Sequence, residues 1–230
     1  CADLGIRYQS YVSDYNQYNQ EILNSKSKLY NFSPDVTFLI IDVRNFFGNS
    51  FHSAHNTSDD ERRILAKEKI NELENLIQTF ENNTKSKLVI TTLNVPSYSP
   101  NGIIETKLQF GFHEMIEEVN TSLRQISKNH VSLYVYDFRQ FISKFGENNI
   151  FDYRKFHLGD IQVAFNFIPY LANDLMSYIK PMCGTNRKCI VLDLDNTLWG
   201  GIVGEDGFDG IELGDTPNGK AFVEFQKELL

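Results

Sequence analysis

Along the first 180 residues, short apolar runs alternate with longer stretches in which apolar residues recur every three or four positions. The first pattern predicts strands and the second predicts amphipathic helices. Strands are predicted over residues 4–12, 36–42, 88–92 and 131–137. Helices separate the strands, and residues 36–41 are almost uniformly apolar, as in a strand buried on both faces. We therefore expect an α/β fold with a doubly wound parallel sheet.

The predicted helices have recognisable ends. Ser58 and Glu61 have the spacing of a capping box, which opens a long helix with apolar residues from Ile64 to Phe80. Further helices are predicted over residues 15–30, 112–126 and 166–178. We expect Pro169 to bend the last of them, because proline removes a helical hydrogen bond.

The pattern changes after Pro181. Residues 183–187 are short and polar and predict a linker between a first domain over 1–182 and a second over 188–230. In the second domain, an apolar strand is predicted over 188–194, and seven of the 14 glycines follow between residues 200 and 219. Thr216 and Pro217 then predict a helix start. Because the sequence opens without methionine and stops inside this helix, we expect both domains to be truncated.

Composition and charge exclude several classes of function. Thirty acidic residues stand against 22 basic ones, a net charge of −8, which disfavours nucleic-acid binding. No apolar run is long enough to cross a membrane. The three cysteines, Cys1, Cys183 and Cys189, have no metal-binding spacing, and this low, odd number favours a reducing cytoplasm.

The clearest chemical signal is Asp193-Leu-Asp195, directly after the predicted strand 188–194. Alternate residues of a strand share a face, so both carboxylates point to one side at the carboxyl end, where α/β sheets bind ligands. Paired carboxylates need a neutralising cation, and Mg²⁺ suits oxygen ligands and phosphate substrates. One carboxylate could attack phosphorus while the other moves a proton. The alternative is a strand end with carboxylates that only solvate a turn.

Residues 189–207 read CIVLDLDNTLWGGIVGEDG and resemble the first motif of the haloacid dehalogenase (HAD) phosphohydrolase superfamily. The extended string is similar to that of its FkbH-like subfamily. Upstream, the runs at 15–21 and 34–44 resemble the FkbH-like amino-terminal domain, which has an SGNH-hydrolase-like fold. The second domain would then be the start of a Rossmann-like HAD domain.

The resemblance implies roles for six residues. Asp193 would be the nucleophile that forms an aspartyl-phosphate and would hold Mg²⁺. Asp195 would be the general acid/base and would also help to hold Mg²⁺ through its backbone carbonyl. Thr197 would close the motif turn, and a flap over the site would include Trp199, Gly200 and Gly201. The phosphate-binding Ser or Thr, the Lys and the distal acidic pair of the superfamily lie beyond Leu230. We therefore expect this chain by itself to be inactive.

The FkbH-like resemblance also implies a pathway role: a phosphorylated small-molecule donor loses its phosphate while a glyceryl or acyl unit is loaded onto an acyl carrier protein. Two alternatives remain. The first domain could be an SGNH-type esterase or acyltransferase, with Asn94 in the oxyanion hole and Asp152 with His157 as the late pair. It could instead be a non-catalytic docking module for a carrier protein, using the basic residues Lys180, Arg187 and Lys188.

Two weaker site candidates complete the sequence picture. Cys189 could form a thioester, but it precedes Asp193 by four residues, roughly 13 Å along a strand, and a buried strand cysteine is usually a small apolar residue. The other candidate is the group at positions 52, 55, 59 and 60, two histidines and two aspartates. It is more typical of a solvated loop and helix cap than of a zinc site.

Overall fold

The protein is described here by a computed structural model that covers residues 7–182, 184 and 189–229. The chain divides into two compact units, Cys1–Gly184 and Thr185–Leu230. Each unit is described by itself. The predicted linker at 183–187 lies, apart from Gly184, outside the described residues.

The first unit is built on a parallel sheet of three strands in the order β1-β2-β3: β1 Val36–Leu39, β2 Lys87–Thr91 and β3 Leu133–Tyr136. Val36 lies opposite Lys87, and Leu88 lies opposite Leu133. Since neighbouring strands are parallel, their carboxyl ends meet at one edge of the sheet. The predicted α/β class with a parallel sheet is confirmed.

Helices cover both faces of this sheet. The helices of the first unit are α1 Tyr18–Leu23, α2 Lys28–Phe32, α3 Val43–Phe47, α4 Asn49–His52, α5 Asp59–Asn83, α6 Phe112–Ser127, α7 Phe138–Phe145, α8 Glu147–Ile150, α9 Tyr153–Gly159 and α10 Ile168–Met182. The larger core, with Phe80 of α5 and Ile116 of α6, packs on one face. Val89 and Phe141 belong to a second core on the other, which α10 covers. Alternate residues of each strand supply these two cores.

Several helix predictions are confirmed. The Ser58–Glu61 capping box is present, with Glu61 N donating to Ser58 Oγ and Ser58 N donating to the Glu61 carboxylate. It starts α5, which carries Leu73, Leu76 and Phe80 into the core. The helix predicted over 112–126 is α6.

Other element predictions were wrong in detail. Residues 7–12 form no strand, and residues 4–6 lie outside the described residues. The helix predicted over 15–30 is interrupted between α1 and α2, where Ser27 stands at the start of α2. Pro169 is the second residue of α10, where a helical N–H has no partner to lose, so proline fits there without a bend.

The second unit contains α11 Val203–Asp206 and α12 Pro217–Leu229. Thr216 caps α12 as predicted, since Gly219 N donates to its Oγ1 over 3.0 Å. The strand predicted over 188–194 does not form within residues 189–194. The reason is that a strand needs a neighbour for its backbone groups, and the described part of this unit offers none.

Residues 190–194 therefore leave apolar side chains in solvent. Ile190 is 68% exposed and Val191 is 90% exposed. In the part of the chain that the structure describes, no helix is long and apolar enough to cross a membrane.

Candidate functional site

Asp193 and Asp195 lie where the apolar run of the second unit ends. Asp193 is exposed, and its Oδ1 accepts the backbone N–H of Leu194 over 2.8 Å. Asp195 is half-buried. A tight turn follows, because Leu198 N donates to Leu194 O over 2.9 Å. The Asp-Leu-Asp segment thus ends in an ordered turn, although the strand before it is unformed.

Asp195 is tied to the segment that follows this turn. Its Oδ1 accepts two hydrogen bonds, from the indole Nε1 of Trp199 over 3.0 Å and from the backbone N of Val203 over 3.3 Å. Residues 199–204 are called the flap below. Since donors from two points of the flap meet on one carboxylate oxygen, Asp195 fixes where the flap begins.

The other predicted site residues belong to the same turn and flap. Thr197 is half-buried, and its backbone N donates to Leu194 O over 3.3 Å. Gly200 is buried and exchanges two backbone hydrogen bonds with Glu212, of 3.0 and 2.9 Å. A Cβ at Gly200 would lie 3.0 Å from the Phe222 ring, so α12 packs against this point of the flap. All six predicted residues thus belong to an ordered turn and the start of the flap, while their chemical roles stay predictions.

The donor set at this segment suits Mg²⁺. Mg²⁺ prefers oxygen ligands, keeps several waters and is bound through one or two carboxylates together with substrate phosphates. Asp193 and Asp195 supply two carboxylates at the surface of the unit. Within the described residues, no group of three or more His, Cys, Asp or Glu side chains is arranged for a metal ion. The oxygen atoms of the two aspartates are of the kind that Mg²⁺ takes, and their binding of the ion stays a prediction.

The sheet of the first unit gathers a second set of polar groups at its carboxyl edge. After β1, Asp42 caps α3 and receives two guanidinium hydrogen bonds from Arg44, of 3.3 and 2.9 Å. Arg44 also lies 3.5 Å from Asp160 and 3.0 Å above the Phe156 ring. The guanidinium charge is thus compensated by two carboxylates, and the cluster as a whole carries one excess negative charge.

After β2 and β3 the same edge carries Thr92 and Asp137. The Thr92 hydroxyl donates to Asp137 Oδ1 over 3.4 Å, and Arg124 donates to Asp137 Oδ2 over 3.3 Å. Sequence reasoning did not assign roles to these residues. The available signal was an aspartate just past each of two strands, Asp42 three residues after the end of β1 and Asp137 directly after β3, since strand ends at this edge converge on one place.

The residues weighed for an SGNH-type site have other partners. Asp152 caps α9, accepting the Lys155 backbone N–H over 3.1 Å and pairing with Lys155 Nζ at 2.9 Å. Those bonds hold the pKa of Asp152 below its usual range. His157 packs on the neighbouring Phe156 ring. Within the described residues, Asp152 and His157 share no hydrogen bond, so they do not form a catalytic pair in this conformation.

The group at 52–60 serves the structure of the first unit. Asp59 accepts the backbone N–H groups of Gln109 and Phe110 and pairs with Arg62 at 2.5 Å. Burial raises the pKa of Asp59, but these bonds outweigh it and the net shift is downward. Asp59 therefore ties the start of α5 to the loop before α6.

The remaining candidates lie in α10 of the first unit, in the second unit or outside the described residues. Cys189 is exposed as a free thiol, against the expectation of a buried strand residue, because the strand around it does not form. Arg187 and Lys188 lie outside the described residues. Lys180 belongs to α10, where it has an interaction of its own.

The chain is similar to a solved structure and matches a known protein family. Among solved structures, it is similar to the N-terminal part of the protein BF1531 from Bacteroides fragilis, whose crystal structure contains a phosphatase domain complexed with Mg. The TM-score is 0.75 at 26% identity, over 94% of this chain and 56% of that one. The chain thus spans little more than half of that protein's crystallised length. No curated protein matches the sequence.

The sequence also matches the profile of the FkbH N-terminal domain over residues 2–180, which is most of the first unit. The matched range contains all three strands of the sheet. The chain therefore belongs to the FkbH N-terminal domain family.

Proposed function

We propose that the protein is a magnesium-dependent phosphatase or phosphotransferase of the FkbH-like HAD type, acting through an aspartyl-phosphate on Asp193. The observation that carries the proposal is the Asp193-Leu-Asp195 turn, in which one carboxylate is exposed and the other is held by the flap. The similarity to a solved protein with a Mg-bound phosphatase domain supports the same reaction class.

The proposed reaction has two steps, in which Asp193 carries the phosphoryl group and Asp195 moves the proton. A carboxylate oxygen of Asp193 attacks phosphorus, the bond from phosphorus to the leaving oxygen breaks, and Asp195 gives that oxygen a proton. Asp195 then takes a proton from water as the water attacks the phosphorus of the aspartyl-phosphate. This releases phosphate and regenerates both carboxyl groups. When bound beside the two aspartates, Mg²⁺ would neutralise charge on the phosphoryl group.

The exposed apolar run is part of the proposal. We propose that residues 190–194 become a strand of a Rossmann-like HAD domain when further strands lie beside them in the full-length gene product. Burying Ile190 and Val191 in this way would remove apolar surface from water and satisfy their backbone groups. This chain alone would then be inactive, because Asp193 and Asp195 would not be held at a strand end.

For the wider reaction, we propose a phosphorylated three-carbon donor and a cytoplasmic acyl carrier protein as acceptor of the glyceryl or acyl unit. The first unit would be an SGNH-like domain in this assembly. The alternative, that this unit only docks the carrier protein, is favoured over an esterase because Asp152 pairs with Lys155 and shares no hydrogen bond with His157 in the described part of the chain. It is also favoured by exposed apolar side chains such as Leu158 and Phe165.

The experiment is phosphate release from phosphorylated glycerates by the full-length gene product, with and without Mg²⁺. The matched variants are Asp193→Asn and Asp209→Asn, since Asp209 is an exposed aspartate of the same unit. Release that requires Mg²⁺ and is lost in Asp193→Asn alone supports the proposal. Equal release from all three proteins, or none from any, contradicts it, and binding of the carrier protein without turnover would favour docking.

A further inference from the structure

The two oxygens of the Asp195 carboxylate differ in their hydrogen bonding. Its Oδ1 accepts both the Trp199 indole N–H and the Val203 backbone N–H, whereas its Oδ2 accepts no hydrogen bond from the described part of the chain. A carboxylate held by two donors on one oxygen cannot rotate freely about its χ2 angle. The oxygen that remains open is therefore presented in a fixed direction.

The donors are themselves fixed by the flap. Asn196 adopts a left-handed conformation, with φ of 54°, and its Oδ1 accepts the backbone N–H of Gly201 over 2.9 Å. Asp206 Oδ2 accepts the backbone N–H of Ile202 over 2.8 Å, which holds the start of α11. Both bonds fix the backbone at Gly201 and Ile202, between the Trp199 and Val203 donors. The flap is thus a pre-organised loop that binds Asp195.

From this geometry we infer that Trp199 is a positioning residue: its indole N–H orients Asp195 so that Oδ2 faces the leaving group. This inference rests on the proposed function, because it concerns proton transfer at the same site. It goes beyond the flap role implied by sequence resemblance, in which Trp199 only covers the site. The indole acts on the reaction through Asp195 and does not itself touch the reacting atoms.

The sequence supplies a direct probe of this contact. Trp199 is the one tryptophan of the 230 residues, so emission excited at long wavelength reports on it alone. Removing a carboxylate from the indole N–H changes the polarity around the ring. We expect Asp195→Ala to shift or change the intensity of this emission in the 230-residue chain, and Asp193→Ala to leave it unchanged. An unchanged spectrum in Asp195→Ala would overturn the inference.

The catalytic consequence is measured in the full-length gene product. Trp199→Phe keeps an aromatic ring and removes the donor, so we expect kcat to fall roughly tenfold or more with KM within about twofold. The control is Gln226→Ala, which removes a 2.6 Å bond to Leu198 O in the same unit but does not touch Asp195. A merely structural Trp199 would instead give the two variants equal losses of both kcat and melting temperature.

The positioning role of Trp199 and the proposed phosphatase activity are overturned by different results. Retained kcat in Trp199→Phe, beside an active parent, overturns the positioning role and leaves the proposed phosphatase intact. An inactive parent overturns the proposed function, and the catalytic part of this inference with it, whatever the emission spectra of the short chain show.

Discussion

The side-chain Oδ1 of Asn196 accepts the backbone N–H of Gly201 over 2.9 Å, and this bond closes the turn between Asp195 and the flap. Gly201 has φ of +93°, and a Cβ there would lie 3.1 Å from the carbonyl oxygen of Gly210. The turn therefore depends on glycine for both its backbone conformation and its space.

We predict that Gly201→Ala destabilises the second unit by about 1–2 kcal/mol, because alanine is strained at positive φ and crowds Gly210. The measurement is denaturant unfolding followed by Trp199 emission. Gly204→Ala is the matched control, since a Cβ at Gly204 meets nothing within 4 Å and its φ is ordinary. Equal unfolding midpoints for the two variants would show that the turn does not constrain the unit.

The loop after β2 depends on a buried amide. Asn120 of α6 is 1% exposed, and its side chain accepts the backbone N–H of Leu93 over 2.7 Å while donating to the Leu93 carbonyl over 3.0 Å. The Asn120 amide thus satisfies the backbone N–H and C=O of Leu93, as a neighbouring strand would. It holds the chain just before Asn94 at the carboxyl edge of the sheet.

We predict that Asn120→Ala lowers the unfolding free energy of the first unit by about 2–4 kcal/mol, because both Leu93 groups are left buried without partners. All 11 tyrosines lie in this unit, so tyrosine circular dichroism in the near ultraviolet follows its unfolding. Gln125→Ala, an exposed substitution on the same helix, should cost less than about 0.5 kcal/mol. Similar losses in both variants would remove the special role of Asn120.

Glu105, which lies in the connection before α6, should contribute to the acid sensitivity of the first unit. Burial raises its pKa, but hydrogen bonds from Ser99, Asn101 and the His113 backbone N–H outweigh this, so the pKa falls below the ordinary 4.5. A carboxyl group with a lowered folded-state pKa stabilises the fold above its unfolded pKa. That stabilisation is lost as the pH falls through the folded-state value.

We predict that Glu105→Gln is less stable than the parent at neutral pH by about 1–3 kcal/mol, and that the difference shrinks below about pH 4.5. One amide oxygen cannot replace two carboxylate oxygens that accept three donors. Tyrosine circular dichroism at pH 7 and pH 3.5 measures the difference. A gap that stays constant between these pH values would show that the ionised carboxylate is not the stabilising group.

The sequence alone predicts the features of this molecule that one segment determines, and it does not predict those that depend on contacts between distant segments. The capping box at Ser58 and the apolar spacing of α5 and α6 are local, and the structure confirms them. The polar edge formed by Asp42, Thr92 and Asp137 needs the order of the strands, which no single segment encodes. Residues that meet across the fold, such as Asn120 with Leu93, leave no recognisable spacing.

In the second unit, a local signal predicts an element that does not form. The run at 189–194 has strand composition, yet strand pairing is a property of neighbours and not of one segment. The link between Trp199 and Asp195 was also not predicted, although both residues were singled out. A four-residue separation does not indicate whether an indole turns back onto a carboxylate or faces solvent.

The most direct test of the account is chemical trapping of the proposed intermediate. The full-length gene product is mixed with Mg²⁺ and a phosphorylated glycerate, reduced with borohydride during turnover and analysed by peptide mass spectrometry. Reduction of an aspartyl-phosphate converts that aspartate to homoserine, so we predict homoserine at position 193 and none at position 195. Homoserine at another aspartate, or phosphate release with no trapped residue, would contradict Asp193 as the nucleophile.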